Sequence, residues 1–181
     1  MAYADSLKSG VDILSFKWAS AVKLSKERDA TAHGFITLVL VGVVTGLLTN
    51  AFSFGRITLM GIIAAPIGMI ISFLIGFIIV HALAKLFGGK AGLEEFFRPL
   101  SNAAIAYPLT AIPFLGFLVG LYYIVIDAFI IKEVHQLPWS KVILIFVILF
   151  VIAVIIGLVI AVILGSIFYA LMGGSVLSQL A

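Results

Sequence analysis

The residues of this chain best suited to chemistry are three histidines, one isolated aspartate and a glycine-glycine-lysine run. His33, His81 and His135 stand far apart and give no metal-ligand spacing. The chain has no cysteine, which removes disulfides, thiolate metal sites and cysteine nucleophiles together. It contains no His-Glu-x-x-His zinc motif, no Gly-x-Ser-x-Gly elbow and no paired membrane aspartates. Gly88-Gly89-Lys90 resembles a fragment of a phosphate loop. The Ser or Thr needed after the lysine is Ala91, and the upstream glycine spacing is missing. No catalytic residue, metal site or cofactor is therefore expected.

Asp127 calls for a different explanation. It precedes Lys132 by five residues, about 7 Å along a helix, inside an otherwise apolar run. His81 lies one turn before Lys85, and Asn102 one turn after Arg98. A lone carboxylate near a bilayer's inner surface needs a partner or a proton. A polar cluster of His81, Lys85, Asn102 and Asp127 is therefore expected. Two roles are open to it, an ion pair that fixes the packing of two spans or a relay for protons or ions. Proximity to the interface favours the structural role.

The elements that must position these groups follow from where charge is missing. No Asp, Glu, Lys or Arg occurs in residues 30–55, 57–84, 99–126 or 142–181, runs of 26, 28, 28 and 40 residues. A hydrocarbon core of about 30 Å needs about 20 apolar residues of helix, so each run can cross it. The chain is 64% hydrophobic and 10% charged, against about 25% charged in soluble domains. Its net charge of +3 is no argument for nucleic acid, because basic residues flank membrane spans for topological reasons.

The predicted spans are 33–54, 57–86, 99–111, 114–131 and 142–172. Pro66 is expected to kink the second near its start. Pro108, Pro113 and Gly116 divide the third charge-free run into a hairpin. A single crossing there would put Lys132 and Lys141 opposite Lys85, Lys90 and Arg98. A hairpin keeps all five on the side of the basic N-terminus and leaves only Arg56 across, as the positive-inside rule prefers. The expected fold is an all-α, polytopic transmembrane bundle of five spans, N-terminus cytoplasmic and C-terminus outside. Its parts are an N-terminal segment 1–30, a membrane domain 31–173 and a short tail 174–181.

Within the first part, Leu7, Val11, Leu14, Trp18 and Val22 recur at steps of three and four. With lysines around that stripe, this predicts an amphipathic interfacial helix. Small residues recur one turn apart as Gly42 and Gly46; Gly68, Ser72 and Gly76; Gly116 and Gly120; and Gly157, Ala161 and Gly165. Such spacing lets helix backbones approach closely, within the chain or between copies.

The segment from His81 to Gln136 resembles the core of the Yip membrane-domain family, the Rab/Ypt-interacting proteins and their prokaryotic relatives. The resembling residues are His81-Ala-Leu-Ala-Lys-Leu-Phe-Gly-Gly-Lys90 and Glu94-Glu-Phe-Phe-Arg98. They continue as Ala106-Tyr-Pro108, Pro113-Phe-Leu-Gly116 and Lys132-Glu-Val-His-Gln136. The resemblance implies a compact, prokaryotic-type member with five spans, in a cell membrane. Eukaryotic members are linked to vesicle trafficking and prenylated GTPases. Here the Asp-Leu-Tyr-Gly signature of their Yip subgroup is absent and the N-terminal region is short, so a small GTPase is not the expected partner.

The functional expectation is a non-enzymatic membrane protein that binds lipids, other membrane proteins or its own copies through its cytoplasmic face. Anionic headgroups suit the surface of Lys85, Lys90, Glu94, Glu95, Arg98, Lys132 and Lys141. The alternative is a path for a small solute, ion or proton through Asp127 and His81.

Overall fold

The computed structural model describes residues 1–52 and 59–179. Every regular element among them is helical. In order these are α1 (Tyr3–Leu14), α2 (Ala19–Lys26), α3 (Ala30–Phe52), α4 (Leu59–Leu86), α5 (Leu93–Ala103), a 3-10 helix (Ala104–Ala111), α6 (Leu115–His135) and α7 (Trp139–Gln179). Four segments are long and apolar enough to cross a membrane: Ala30–Phe52, Ile62–Leu86, Leu115–His135 and Trp139–Tyr169. In lipid only internally hydrogen-bonded backbone is viable, which is why uninterrupted apolar runs become single helices. The chain divides into two compact units, Met1–Val142 and Ile143–Ala181. The second is the continuation of α7, in which Gly157, Ala161 and Gly165 recur along one helix and helical structure persists to Gln179. Arg56, expected alone across the membrane, lies outside the described residues, as do Ser53 and Phe54.

In the first unit the N-terminal segment forms two helices where one was expected. Ser15 caps α1, its N–H bonding back to the carbonyls of Val11 and Asp12. Phe16 then takes a left-handed φ of 63° that turns the chain. The Lys17 ammonium closes the corner on Asp12 at 2.7 Å. The expected apolar stripe is not the packed face: Val11 is exposed and Leu7, Leu14, Trp18 and Val22 are half-buried. The buried face of α1 is Ser6, Ser9, Gly10 and Ile13, and that of α2 is Ala21, Leu24 and Ser25. The reason is close approach. A Cβ on Gly10 would run into the backbone carbonyl of Asn102 in α5, so only a small-residue face can lie there.

The region 93–135 also departs in detail. The expected limb 99–111 is split between the end of α5 and the 3-10 helix. α5 begins earlier, at Leu93, where the Gly92 N–H bonds Glu95 Oε2 at 2.6 Å, the carboxylate half of a capping box. α6 ends in a left-handed Gln136 cap, with the Leu137 N–H on the Lys132 carbonyl, just before Pro138.

The repeated small residues separate into two groups. Gly42 and Gly46 are buried in α3, and a Cβ on Gly42 would collide with Pro66 of α4. Gly116 abuts the Thr110 carbonyl and closes the hairpin. A Cβ on Gly68, Gly76 or Gly120 would meet nothing within 4 Å, and Ser72 is exposed. The other close approaches use Gly10, Gly34 and Gly89, none of which stands in a repeat.

Candidate interaction face

Arg98 and Asn102 organise the face on which α1, α2 and α5 meet. Both lie on the buried side of α5, one turn apart. The Arg98 guanidinium donates to the Ser25 carbonyl at the end of α2 (2.7 Å) and to Thr31 Oγ1 at the start of α3 (2.8 Å). It also donates to Glu94 Oε2 one turn back (2.6 Å). The Asn102 amide donates to the carbonyls of Ala30 (3.0 Å) and Arg98 (2.8 Å). These bonds satisfy the carbonyls where α2 gives way to α3, a stretch that would otherwise be buried unpaired. Further along, Ser6 Oγ meets His33 Nδ1 at 2.8 Å, and the Tyr122 hydroxyl donates to the Leu14 carbonyl.

The turn between α4 and α5 sits on a buried histidine. The His135 carbonyl accepts the Lys90 N–H at 3.1 Å, and Gly89 lies against the His135 ring so closely that a Cβ would fall 2.6 Å from Nδ1. The His81 and His135 rings are 5.1 Å apart, with Phe96 beside both and Phe77 beside His81. Neither ring nitrogen of His135 has a hydrogen-bond partner among the described residues. The Lys85 ammonium reaches the Ala91 carbonyl at 3.4 Å and that of Lys141 the Phe87 carbonyl at 2.7 Å, so two lysines hold the turn from outside.

The four residues expected to cluster share no partner among the described residues. Asn102 serves the α2–α3 junction, His81 packs on aromatic rings, and Lys85 binds the turn. Asp127 is half-buried and makes no hydrogen bond or ion pair with the other three among the described residues. The role of Arg98 and its partners Ser25 and Thr31 carried one sequence signal, a basic residue inside a strongly amphipathic helix. Its long-range acceptors are backbone and hydroxyl oxygens, which no spacing rule reveals.

Charge on this face is unevenly spent. Arg98, Lys17 and Lys132 are each paired with a carboxylate: Glu94, Asp12 and Glu133 respectively. Lys132 also lies 5.7 Å over the Trp139 ring. Lys26, Arg28 and Lys90 are exposed and have no ion pair among the described residues. They border two clefts. One of about 160 Å³ is lined by Ser25, Lys26, Lys90, Glu95, Glu133 and Gln136, among others. The second is more open and includes Lys26, Arg28, Glu94, Glu95 and Arg98.

The family model of the Yip1 domain matches residues 18–162, most of the chain. No curated protein and no solved structure matches it. The matched range begins at Trp18, takes in α2 to α6 and ends within α7, so it contains the Arg98 junction and the histidine-backed turn as well as the apolar helices. The chain belongs to the Yip1 domain family and is a multi-pass membrane protein.

Proposed function

We propose that this protein is a non-enzymatic membrane component whose cytoplasmic face, built from α1, α2, α5 and the turns after α4 and α6, recruits anionic lipid headgroups and, through them, neighbouring membrane proteins. The observation that carries this reading is the contrast between paired and unpaired cations. Arg98 and Lys132 are neutralised within the fold, while Lys26, Arg28 and Lys90 stand exposed around the clefts. Basic residues at such a surface attract anionic headgroups by about 1 kcal/mol each. The positive-inside rule makes this face cytoplasmic, with the basic segments before α3, between α4 and α5, and around Lys132–Lys141 on one side. The five-passage arrangement satisfies that condition. So does any hairpin that leaves by the face it entered.

The test is lipid enrichment around the protein reconstituted in mixed neutral and anionic bilayers. Lys26→Glu with Lys90→Glu should lower anionic-lipid enrichment by about tenfold or more, from two residues at about 1 kcal/mol each. Insertion and helix content should stay unchanged. Equal enrichment in the variant and the parent would defeat the proposal.

A further inference from the structure

We propose that the 3-10 helix and the first half of α6 form a hairpin that enters from the basic face, stops near the bilayer midplane and contacts the acyl chains of that leaflet alone. This goes beyond lipid capture by the face and does not depend on it.

The entry level is set by α5. This helix lies across the beginning of α3 and does not run down beside it. Phe97 packs on Phe35 with ring centres 4.7 Å apart, Arg98 binds Thr31, Ser101 abuts Gly34 and Asn102 binds the Ala30 carbonyl. Phe97, Arg98, Ser101 and Asn102 thus all meet the first turns of α3. Descent begins only at Ala104, and the 3-10 helix ends at Ala111. Its eight residues reach about 16 Å at most.

The return limb gives the same depth independently. The Tyr123 hydroxyl donates to the Ala103 carbonyl at 3.0 Å, placing Tyr123 level with the point of entry. From Tyr123 back to Leu115 is about 12 Å of α-helix. A hydrocarbon core is about 30 Å thick.

The remainder of α6 is not available to lipid. Trp18 stacks on Phe129 at 4.1 Å, Phe16 packs on Tyr122, and the Tyr122 hydroxyl holds Leu14. The Asp12–Lys17 ion pair sits at that same corner, so headgroup or water reaches the level of Tyr122. Accordingly α6 exposes large apolar side chains only from Leu115 to Val125. Among the described residues they extend in α3 from Phe35 to Phe52, about 25 Å, and in α4 from Ile63 to Leu86, about 35 Å.

The tip is built for hydrocarbon. From Ala111 to Leu121 there is no polar side chain, Phe114 is 95% exposed and Phe117 71%. Phe114 has a φ of 65° at the centre of a γ-turn, the Leu115 N–H bonding the Pro113 carbonyl at 2.8 Å. The Ile112 and Gly116 N–H groups bond the carbonyls of Leu109 and Ile112, and Pro113 has no N–H to satisfy. Only the leaflet of the basic face gains this extra volume, so the hairpin is a one-leaflet wedge.

The cysteine-free chain allows a direct test. Single cysteines at Phe114, Lys90 and Phe52 are exposed to an impermeant maleimide in sealed, oriented vesicles. Lys90→Cys should label from one side and Phe52→Cys from the other. Phe114→Cys should label at least about tenfold more slowly from both until detergent is added, as a thiol away from water must. Labelling of Phe114→Cys from the Phe52 side at the Phe52 rate means a full crossing and overturns the proposal. Rapid labelling from the Lys90 side means a surface hairpin and overturns it equally. A fluorophore at position 114 should be quenched most by nitroxides near the acyl-chain ends; strongest quenching by headgroup nitroxides rejects the midplane position.

Discussion

Arg98 shows how much one side chain decides here. It is buried, yet its three acceptors come from three different elements. Arg98→Ala would leave the Ser25 carbonyl unpaired and should cost about 2–3 kcal/mol, the usual penalty for orphaning buried polar groups reached by a charged donor. It should appear as a lower melting temperature in detergent and as new proteolysis between α2 and α3; parent-like values for both would argue against the latch. Glu94→Gln should cost less than about 1 kcal/mol, because that carboxylate is exposed. Asp12 supplies a pH dependence. The Lys17 ammonium hydrogen-bonded to it holds its carboxyl below the ordinary value. Its contribution is therefore complete above about pH 4 and is lost as pH falls through the lower folded value. Hydrogen exchange at the Lys17 N–H, which bonds the Asp12 carbonyl, should quicken on that acidification, and Asp12→Asn should abolish the dependence.

At the scale of elements, the contact between α3 and α4 depends on one glycine. Gly42→Ala drives a methyl into the backbone of Pro66 and should destabilise by about 1–3 kcal/mol, as overpacking does. Gly68→Ala and Gly76→Ala meet open space and should be neutral or slightly stabilising. Thermal unfolding of the three variants in one detergent distinguishes them, and equal effects would refute the assignment. All three positions look alike in sequence, since a one-turn repeat of small residues gives no direction for the partner. The N-terminal helices carry the same lesson. The stripe from Leu7 to Val22 predicts one helix where the structure has two, and the side of α1 that packs is the Ser6, Ser9, Gly10 and Ile13 face, chosen because α5 approaches to backbone contact.

For the whole molecule, anionic-lipid enrichment should weaken as salt rises, because the exposed cations are screened over about 10 Å at 0.1 M. Enrichment that ignored ionic strength would point to an apolar determinant instead. The division between what sequence determined and what tertiary structure decided follows from range. Apolar runs interrupted by charge made the long helices legible, because a bilayer imposes a local condition on every consecutive residue; of the five spans expected, four are helices long and apolar enough to cross. The motif fragments in the region 81–136 sufficed to indicate the Yip family. The proline-containing break at 108–116 was legible as a hairpin for the same local reason. Its depth was not, because that depends on where α5 rests on α3 and on how much of α6 is covered by α1 and α2. Nor was the Arg98 junction or the pairing of His81 with His135, which join residues 54 to 73 positions apart. Such contacts depend on which helix faces meet, a choice made by close backbone approach at Gly10, Gly34, Gly42 and Gly89 that exists only in the folded chain.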